Sequence, residues 1–318
     1  MQDLDIIIPV YNERPELVIE TIENIHRAFN NYNNYQVIVV NDGSKNEYNL
    51  DTLAERTDIK YIKHIQNRGY GAALKTCIRA GNSPIIAITD ADGTYPVADL
   101  PKLAEEMKDC DMVIGTRTTE VCHIPLLRRF PKKILNLTAS YIAGEQIKDL
   151  NSGMRVFSRE LCYYLWPFYP AGFSFTSTIT MGSIMGGFRR KEIAIDYFKR
   201  DGDSSIHPIK DTIRFFRLVA RLGLIFNPMK LFGPVSIFLF TIGFIKGFCR
   251  DFFLLGYVGN LSIMLILAAL QVGMMGLLAK LIVHSRVVSP TKSNSFPSTS
   301  HVKKIETSST THHLQSIQ

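Results

Sequence analysis

The sequence predicts an α/β domain built on a mostly parallel sheet, followed by an amphipathic helix and a hairpin of two membrane-spanning helices. In roughly the first 200 residues, short apolar runs alternate with helix-like segments, which is typical of a parallel sheet covered on both faces. Basic and apolar residues then recur at helical spacing over 207–226, and from Leu231 the composition becomes abruptly apolar. The expected units are 1–205, 206–230, 231–284 and a polar tail, 285–318.

Four apolar runs are predicted to be strands of one sheet. They span 4–10, 36–41, 59–65 and 85–89. A helix is predicted over 15–30, where Ile22, Ile25 and Phe29 share one face. In parallel α/β sheets, ligands bind beyond the carboxyl ends of the strands. The candidate site is therefore expected where these runs end.

Each predicted strand runs into a polar motif. The motifs are PVYNE (9–13), VNDGS (40–44), NRGYGAAL (67–74) and DADGTYP (90–96). Any one of them could be ordinary turn chemistry, but four at one sheet edge favour a functional site. The glycine-rich loop opens a helix and could approach a phosphate. It lacks the Gly-Lys-Ser/Thr ending of a phosphate loop, and the first strand lacks the dinucleotide fingerprint, so a conventional kinase or dehydrogenase is disfavoured.

Asp90 and Asp92 have two interpretations. The simpler one is a polar strand end in which one aspartate starts a turn. The other is a site for Mg²⁺ or Mn²⁺, which prefer carboxylate and phosphate oxygens. Such an ion would bridge the carboxylates to a nucleotide diphosphate and stabilise its departure as a Lewis acid.

Taken together, the motifs resemble the family 2 glycosyltransferases of the GT-A fold, a Rossmann-like α/β fold. The resemblance continues through VIGTR (113–117), DLNSGMRVF (149–157), RDGDSSIHPIKD (200–211) and the two C-terminal spans. Within the family, the chain looks most like the polyprenyl-phosphate glycosyltransferases, the group that contains dolichyl-phosphate mannose synthase. The resemblance implies inverting, Mg²⁺- or Mn²⁺-dependent transfer of one sugar from a UDP- or GDP-sugar to a polyprenyl phosphate.

The resemblance also implies roles for the donor residues. Asp90 and Asp92 match the metal-binding motif of the family, with Asp92 as the direct ligand and Asp90 on the ribose or on a metal-bound water. Nucleotide binding is assigned to Pro9, Tyr11, Glu13, Asp42, Gly71 and Asp90, with Asp42 reading the base. Two positions depart from the family pattern: Asn41 replaces a frequent acid, and Thr94 stands where a further metal ligand often lies.

The acceptor is expected to be a phosphate because the general base that relatives often carry is missing. Residues 172–182, GFSFTSTITMG, contain no acid, and a sugar hydroxyl acceptor needs a base, whereas a phosphate is already anionic. Arginine binds phosphate through two parallel hydrogen bonds. The acceptor set is Arg117, Arg128, Arg129, Ser152, Arg155 and Arg200, and the catalytic set is Asp92, Arg117, Arg129 and Asp149. The alternatives are a solvated or lipid-attracted basic face at 128–133 and a simple turn at DLNSG.

Two uncharged runs, 231–245 and 252–279, predict the membrane hairpin. A span needs about 20 apolar residues, which the first run reaches only if Lys246 extends to the membrane interface. Buried helices of a soluble protein are the alternative, but those normally have a polar face. Basic residues flank the pair on both sides, which predicts a cytoplasmic catalytic domain and tail. The tail, rich in Ser, Thr and His, is predicted to be disordered.

Several alternatives remain open from the sequence. The acceptor could instead be a diacylglycerol or another hydroxyl lipid, or the protein could be an inactive membrane scaffold that binds nucleotide-sugar. The resemblance does not decide the sugar, or UDP against GDP, and it makes a homo-oligomer an open expectation. No nucleic-acid partner is expected. The five cysteines show no paired spacing and are expected to be reduced.

Overall fold

The computed structural model describes residues 3–117, 137–172, 174–198, 208–253 and 256–288. Arg128, Arg129 and Arg200, and the polar tail from residue 289, lie outside the described residues. Among the described cysteines, Cys77, Cys110, Cys162 and Cys249 are free thiols.

A seven-stranded sheet forms the centre of the part of the chain that precedes the apolar helices. The strands are β1 (Leu4–Val10), β2 (Tyr35–Asn41), β3 (Ile59–Lys63), β4 (Ile85–Ile88), β5 (Met112–Arg117), β6 (Arg155–Ser158) and β7 (Arg190–Ile195). Their order across the sheet is β3-β2-β1-β4-β6-β5-β7. β6 runs antiparallel to both of its neighbours, and all other pairs are parallel. The prediction of a mostly parallel α/β sheet is confirmed.

Nine helices accompany the sheet in the described part of the chain. They are α1 (Pro15–Ala28), α2 (Tyr70–Ala80), α3 (Leu100–Glu105), α4 (137–143), α5 (Arg159–Tyr164), α6 (Phe175–Met185), α7 (Pro208–Phe226), α8 (Met229–Ile245) and α9 (Asn260–Val288). α1 begins with Pro15 and has Glu16 in its first turn, because proline suits the first helical position and an acid interacts favourably with the positive end of the helix dipole.

The sheet is buried on both faces, which explains its long apolar runs. On one face, alternate β1 residues such as Ile6 and Ile8 pack against α1 and α3. On the other face, Ile7 packs with α2, α5 and α6. A third cluster joins α6 to α4 and α7, with Met181 and Leu222 at its centre. The side of the domain covered by α6 therefore carries α7 and the hairpin that follows.

Two helical segments are long and apolar enough to cross a membrane. They are Met229–Phe252, in which α8 continues into the π-helical turn Lys246–Phe252, and Asn260–Val283 within α9. Only 11% and 17% of their most apolar windows are buried, so neither is a core helix of a soluble protein. The helices pair antiparallel, since Ser236 Oγ donates to the Ala269 carbonyl at 2.7 Å while Gly276 meets Phe232.

The ends of the hairpin differ from the prediction in two places. The uncharged runs 231–245 and 252–279 leave six residues between them, but the helical turn continues through these residues to Phe252. Asp251 explains this, because its carboxylate accepts hydrogen bonds from Lys246 Nζ at 2.9 Å and Ser262 Oγ at 2.6 Å. At the other end, α9 extends to Val288, so the first four residues of the expected tail are helical.

Candidate functional site

The first two polar motifs are joined to each other at the carboxyl edge of the sheet. The Asn12 amide donates to Ser44 Oγ at 2.9 Å, and the Lys45 amide donates to Asn12 Oδ1 at 2.9 Å. Asn41 Oδ1 accepts from the Ser44 amide at 2.9 Å, and Asn41 Nδ2 donates to the Tyr61 hydroxyl at 3.1 Å. Asn41 thus closes the turn after β2, a role that a carboxylate, which cannot donate, would fill less completely.

Asp42 lies at the centre of this edge and holds the glycine-rich loop. Its side chain is only 3% exposed. Its oxygens accept from the Arg68 amide at 3.0 Å, the Gly69 amide at 2.7 Å and His64 Nδ1 at 2.6 Å. His64 Nε2 lies 3.0 Å from Thr76 Oγ1 on α2. Sequence reasoning missed His64; its place directly after β3 was the one available signal.

The glycines of the loop are required by close packing. Gly69 has φ +96°, and a Cβ there would lie 2.8 Å from the Ala171 carbonyl oxygen. A Cβ at Gly71 would lie 2.4 Å from the Pro170 carbonyl oxygen. The Gly71 amide donates to the Gly172 carbonyl at 3.2 Å. Gly71, assigned to nucleotide binding from the resemblance, thus docks the loop onto the segment that leads into α6.

Asp90 and Asp92 line one cavity of about 720 Å³. Asp92 Oδ1 accepts from the Thr94 amide at 3.1 Å and the Thr94 hydroxyl at 2.6 Å. Asp90 Oδ1 accepts from the Tyr70 hydroxyl at 3.2 Å. Burial and the nearby Asp90 charge raise the pKa of Tyr70, which therefore stays a donor. Thr94, at the position of a further ligand in relatives, orients Asp92 instead.

The chemistry of this pair fits a divalent cation that arrives with a substrate. In the described part of the chain, no group of three His, Cys, Asp or Glu side chains forms a complete protein cage. Mg²⁺ is commonly held by one or two carboxylates together with substrate phosphates and water. Two carboxylates lining a roomy cavity match that pattern.

Arg117 and Asp149 form an ion pair at the end of β5. Arg117 Nε and Asp149 Oδ2 are 2.7 Å apart, and Nη2 and Oδ1 are also 2.7 Å apart. Burial would raise the pKa of Asp149, but the hydrogen bonds and charge of Arg117 outweigh it and lower that pKa. The guanidinium also lies 5.1 Å from the ring centroid of Tyr197. The two residues act as one unit that stays partly open to solvent, at 24% and 11% exposure.

Arg155 and Ser152 are fully buried. Arg155 Nη1 donates to the Thr176 carbonyl at 3.0 Å and to Thr180 Oγ1 at 2.9 Å. Ser152 Oγ donates to the Gly115 carbonyl at 2.5 Å. These contacts tie the 149–155 segment to β5 and α6. The resemblance implied that both residues contact the acceptor phosphate, but neither side chain reaches a surface in this structure.

The remaining residues that were predicted to bind the nucleotide differ in how far their side chains are exposed. Pro9 is buried in β1, Glu13 is partly exposed and Tyr11 is 44% exposed beyond the strand end. Tyr11 is thus available to a ligand.

Two family models match the chain. The one described as Glycosyl transferase family 2 matches residues 5–166, and the one described as GtrB C-terminal hairpin matches residues 227–284. Together they cover β1 to β6, the polar motifs at the ends of β1 to β4, and both apolar spans, but not β7.

Curated relatives are similar over different shares of their length. A dolichyl-phosphate hexose transferase of Haloferax volcanii is 28% identical over 65% of this chain and 87% of that protein. A dolichyl-phosphate beta-glucosyltransferase of Trichomonas vaginalis is 32% identical over 50% of this chain and 54% of that protein. An undecaprenyl-phosphate 4-deoxy-4-formamido-L-arabinose transferase of Pseudomonas syringae is 26% identical over 76% of this chain and 71% of that protein.

Among solved structures, the fold is similar to glucosyl-3-phosphoglycerate synthase from Mycobacterium tuberculosis, crystallised with Mn²⁺, uridine diphosphate and phosphoglyceric acid. The TM-score is 0.53 at 15% identity, over 70% of this chain and 78% of that one. At this identity the likeness shows the fold alone.

Proposed function

This chain belongs to glycosyl transferase family 2, and we propose that it transfers one sugar from a nucleotide-sugar to a polyprenyl phosphate at the cytoplasmic face of a membrane, with inversion. The observation that carries the proposal is the combination, in one chain, of a cavity between α1 and the 90–98 segment, which Asp90 and Asp92 line, with a hairpin of two exposed apolar helices. The names of the relatives, which pair a sugar with a dolichyl or undecaprenyl phosphate, support the same class.

The donor would bind at the edge formed by Tyr11, Asp42 and the acidic pair. Tyr11 is exposed enough to contact the nucleoside, and Asp42 fixes the 68–69 loop through two backbone amides. Asp92 would ligate Mg²⁺ or Mn²⁺ directly, with Asp90 on the ribose or on a bound water. When bound, the cation would neutralise the diphosphate and stabilise it as a leaving group. The protein's own part is to hold Asp92 through Thr94 and Asp90 through Tyr70.

The acceptor argument rests on α6. The buried polar residues of this helix are serines and threonines, and the helix carries no carboxylate or histidine, so it offers no general base for a hydroxyl. A phosphate oxygen of the lipid would attack C1 of the sugar as the C1–O bond to the nucleotide diphosphate breaks on the opposite side. That single displacement inverts the anomeric configuration. Arg117, held by Asp149, would bind the attacking phosphate with Arg128, Arg129 and Arg200 as the further cations.

The hairpin would keep the catalytic domain beside its lipid substrate. α7 packs Val219 and Leu222 against the domain while Arg217, Arg221 and Leu224 stay exposed, so its outer face is free to lie on a membrane surface. Basic residues on both sides of the hairpin favour the cytoplasmic side for the domain and the tail.

A transfer assay tests the proposal. The full chain in detergent, with Mg²⁺ or Mn²⁺, is offered radiolabelled UDP- and GDP-sugars together with a short polyprenyl phosphate or, separately, a diacylglycerol. Label on the polyprenyl phosphate supports the proposal and names the donor. Label on diacylglycerol alone refutes the acceptor argument. Nucleotide-sugar binding without any transfer or hydrolysis would favour an inactive scaffold.

A further inference from the structure

A cluster of one aromatic ring and two cations lies outside the proposed active site. Trp166, the single tryptophan of the chain, begins the 3₁₀ turn Trp166–Phe168. The Arg79 guanidinium lies 5.1 Å from its ring centroid, and Lys75 Nζ lies 5.9 Å away. Both cations come from α2, one helical turn apart. We call Trp166, Lys75 and Arg79 the tryptophan patch.

The charge of this patch is not balanced within the described part of the chain. No carboxylate there pairs with Arg79 or Lys75; Lys75 Nζ donates instead to the Tyr169 carbonyl at 2.5 Å. Burial lowers the pKa of Lys75, and repulsion from the neighbouring Arg79 charge lowers it further. An anion bound between them would relieve that repulsion.

The tryptophan patch lies close to the point where the first apolar span begins. The Phe168 ring, two residues after Trp166, packs against Phe226 at 5.2 Å. Phe226 is the last residue of α7, and α8 begins at Met229. Leu231 of α8 in turn meets Gly223 of α7. The tryptophan turn therefore lies beside the entry of the chain into the hairpin, on the same side of the sheet as α6 and α7.

We propose that the tryptophan patch binds the anionic phospholipid headgroups of the bilayer that α8 enters. Tryptophan is enriched at membrane–water interfaces because its ring is apolar and its N–H is polar. Basic side chains near the surface are attracted by anionic lipids. The contact sets the orientation of the catalytic domain on the membrane, in addition to the hairpin that holds it there. The inference rests on the proposed membrane location of the hairpin.

The single tryptophan makes the contact directly measurable. The full chain is reconstituted into liposomes that contain lipids spin-labelled either in the headgroup or near the end of the acyl chain, and Trp166 fluorescence is recorded. We expect headgroup-labelled lipid to quench Trp166 more strongly than deeply labelled lipid, and the quenching to increase when anionic lipid replaces zwitterionic lipid. Removal of each basic residue should lower the equilibrium constant for contact between the tryptophan patch and the anionic headgroups about fivefold.

Matched variants separate this contact from general attraction to the vesicle. Lys75→Gln with Arg79→Gln should abolish the dependence on anionic lipid, whereas Lys102→Gln with Lys108→Gln, on the α3 side of the domain, should leave it unchanged. The proposal would be overturned if both double variants changed the dependence of quenching on anionic lipid equally. It would also be overturned if headgroup-labelled lipid did not quench Trp166 in protein that resists extraction by carbonate. Extraction of the protein by carbonate would instead refute the membrane location on which the proposed function also depends.

Discussion

Replacement of His64 by alanine is expected to weaken nucleotide-sugar binding more than it changes the rate of transfer. His64 is 7% exposed, and its Nδ1 lies 2.6 Å from Asp42 Oδ1. Because a carboxylate only accepts, Nδ1 donates in this contact. The variant therefore leaves the buried Asp42 carboxylate with the Arg68 and Gly69 amides and without its shortest hydrogen bond.

The magnitude follows from the contact. A hydrogen bond to a charged group contributes about 1.5–3 kcal/mol. If that free energy is lost from the positioning of the 68–69 loop, the dissociation constant of the nucleotide-sugar should rise about 10- to 150-fold, at 1.4 kcal/mol per factor of ten. The substitution His64→Asn should recover part of the affinity, because its shorter side chain can still place an amide donor near the position of Nδ1.

Isothermal titration of the nucleotide-sugar in detergent, together with steady-state transfer kinetics, measures both effects. His26→Ala is the matched control: His26 also makes short contacts, to the Tyr35 hydroxyl at 2.7 Å and Asp58 at 3.1 Å, but it lies near the end of α1 away from the glycine-rich loop. Unchanged affinity in His64→Ala, or an equal loss of affinity in both variants, would refute the positioning role.

The remaining predictions concern the acidic pair, the ion pair and the hairpin. Asp92→Ala should lower transfer at least about a hundredfold and abolish metal-dependent nucleotide binding; full activity would remove the metal hypothesis. Arg117→Ala should raise the KM for polyprenyl phosphate while leaving nucleotide affinity unchanged, and an equal loss of both would mean that the acceptor site is misplaced. The pKa of Asp149 is lower in the folded than in the unfolded protein, so its ionised carboxylate stabilises the fold above the unfolded pKa, near 3.8. This stabilisation is lost as the pH falls through the folded pKa. The free energy of unfolding by denaturant from about pH 5 to pH 3 should therefore depend less on pH in Asp149→Asn than in the wild type. Asp251→Ala should loosen the end of the hairpin, because Lys246 and Ser262 lose a shared partner; faster proteolysis between the two spans, absent in the exposed control Arg250→Ala, would show it.

Local pattern was sufficient for most elements of the fold. The four predicted strands match β1 to β4 within two residues at each end, because a strand buried on both faces needs a continuous apolar run that local sequence displays. The apolar helices of the hairpin were likewise visible in composition alone, since a span must be apolar along its whole length. The candidate site at the strand ends followed from topology, as parallel strands bring their carboxyl ends to one edge.

Other features had no local signal. β6 lies antiparallel between β4 and β5. A strand of four residues is too short to show where in the sheet it inserts. Arg155 was assigned to the acceptor phosphate from the resemblance, yet it is buried against Thr176 and Thr180. The sequence pattern does not show whether the hydrogen-bond donors of an arginine face water or buried carbonyl groups.

By itself, the sequence determined four of the seven strands, the helix that follows the first of them, the amphipathic helix, the apolar spans, and the edge of the sheet that carries the polar residues. Only the tertiary structure decided how those residues are paired: His64 with Asp42 across 22 positions, and Arg117 with Asp149 across 32. The physical reason is that periodicity and composition report whether a side chain meets water or an apolar core. The partner of a buried charge comes from a distant part of the chain, and it is chosen by the packing of the completed fold.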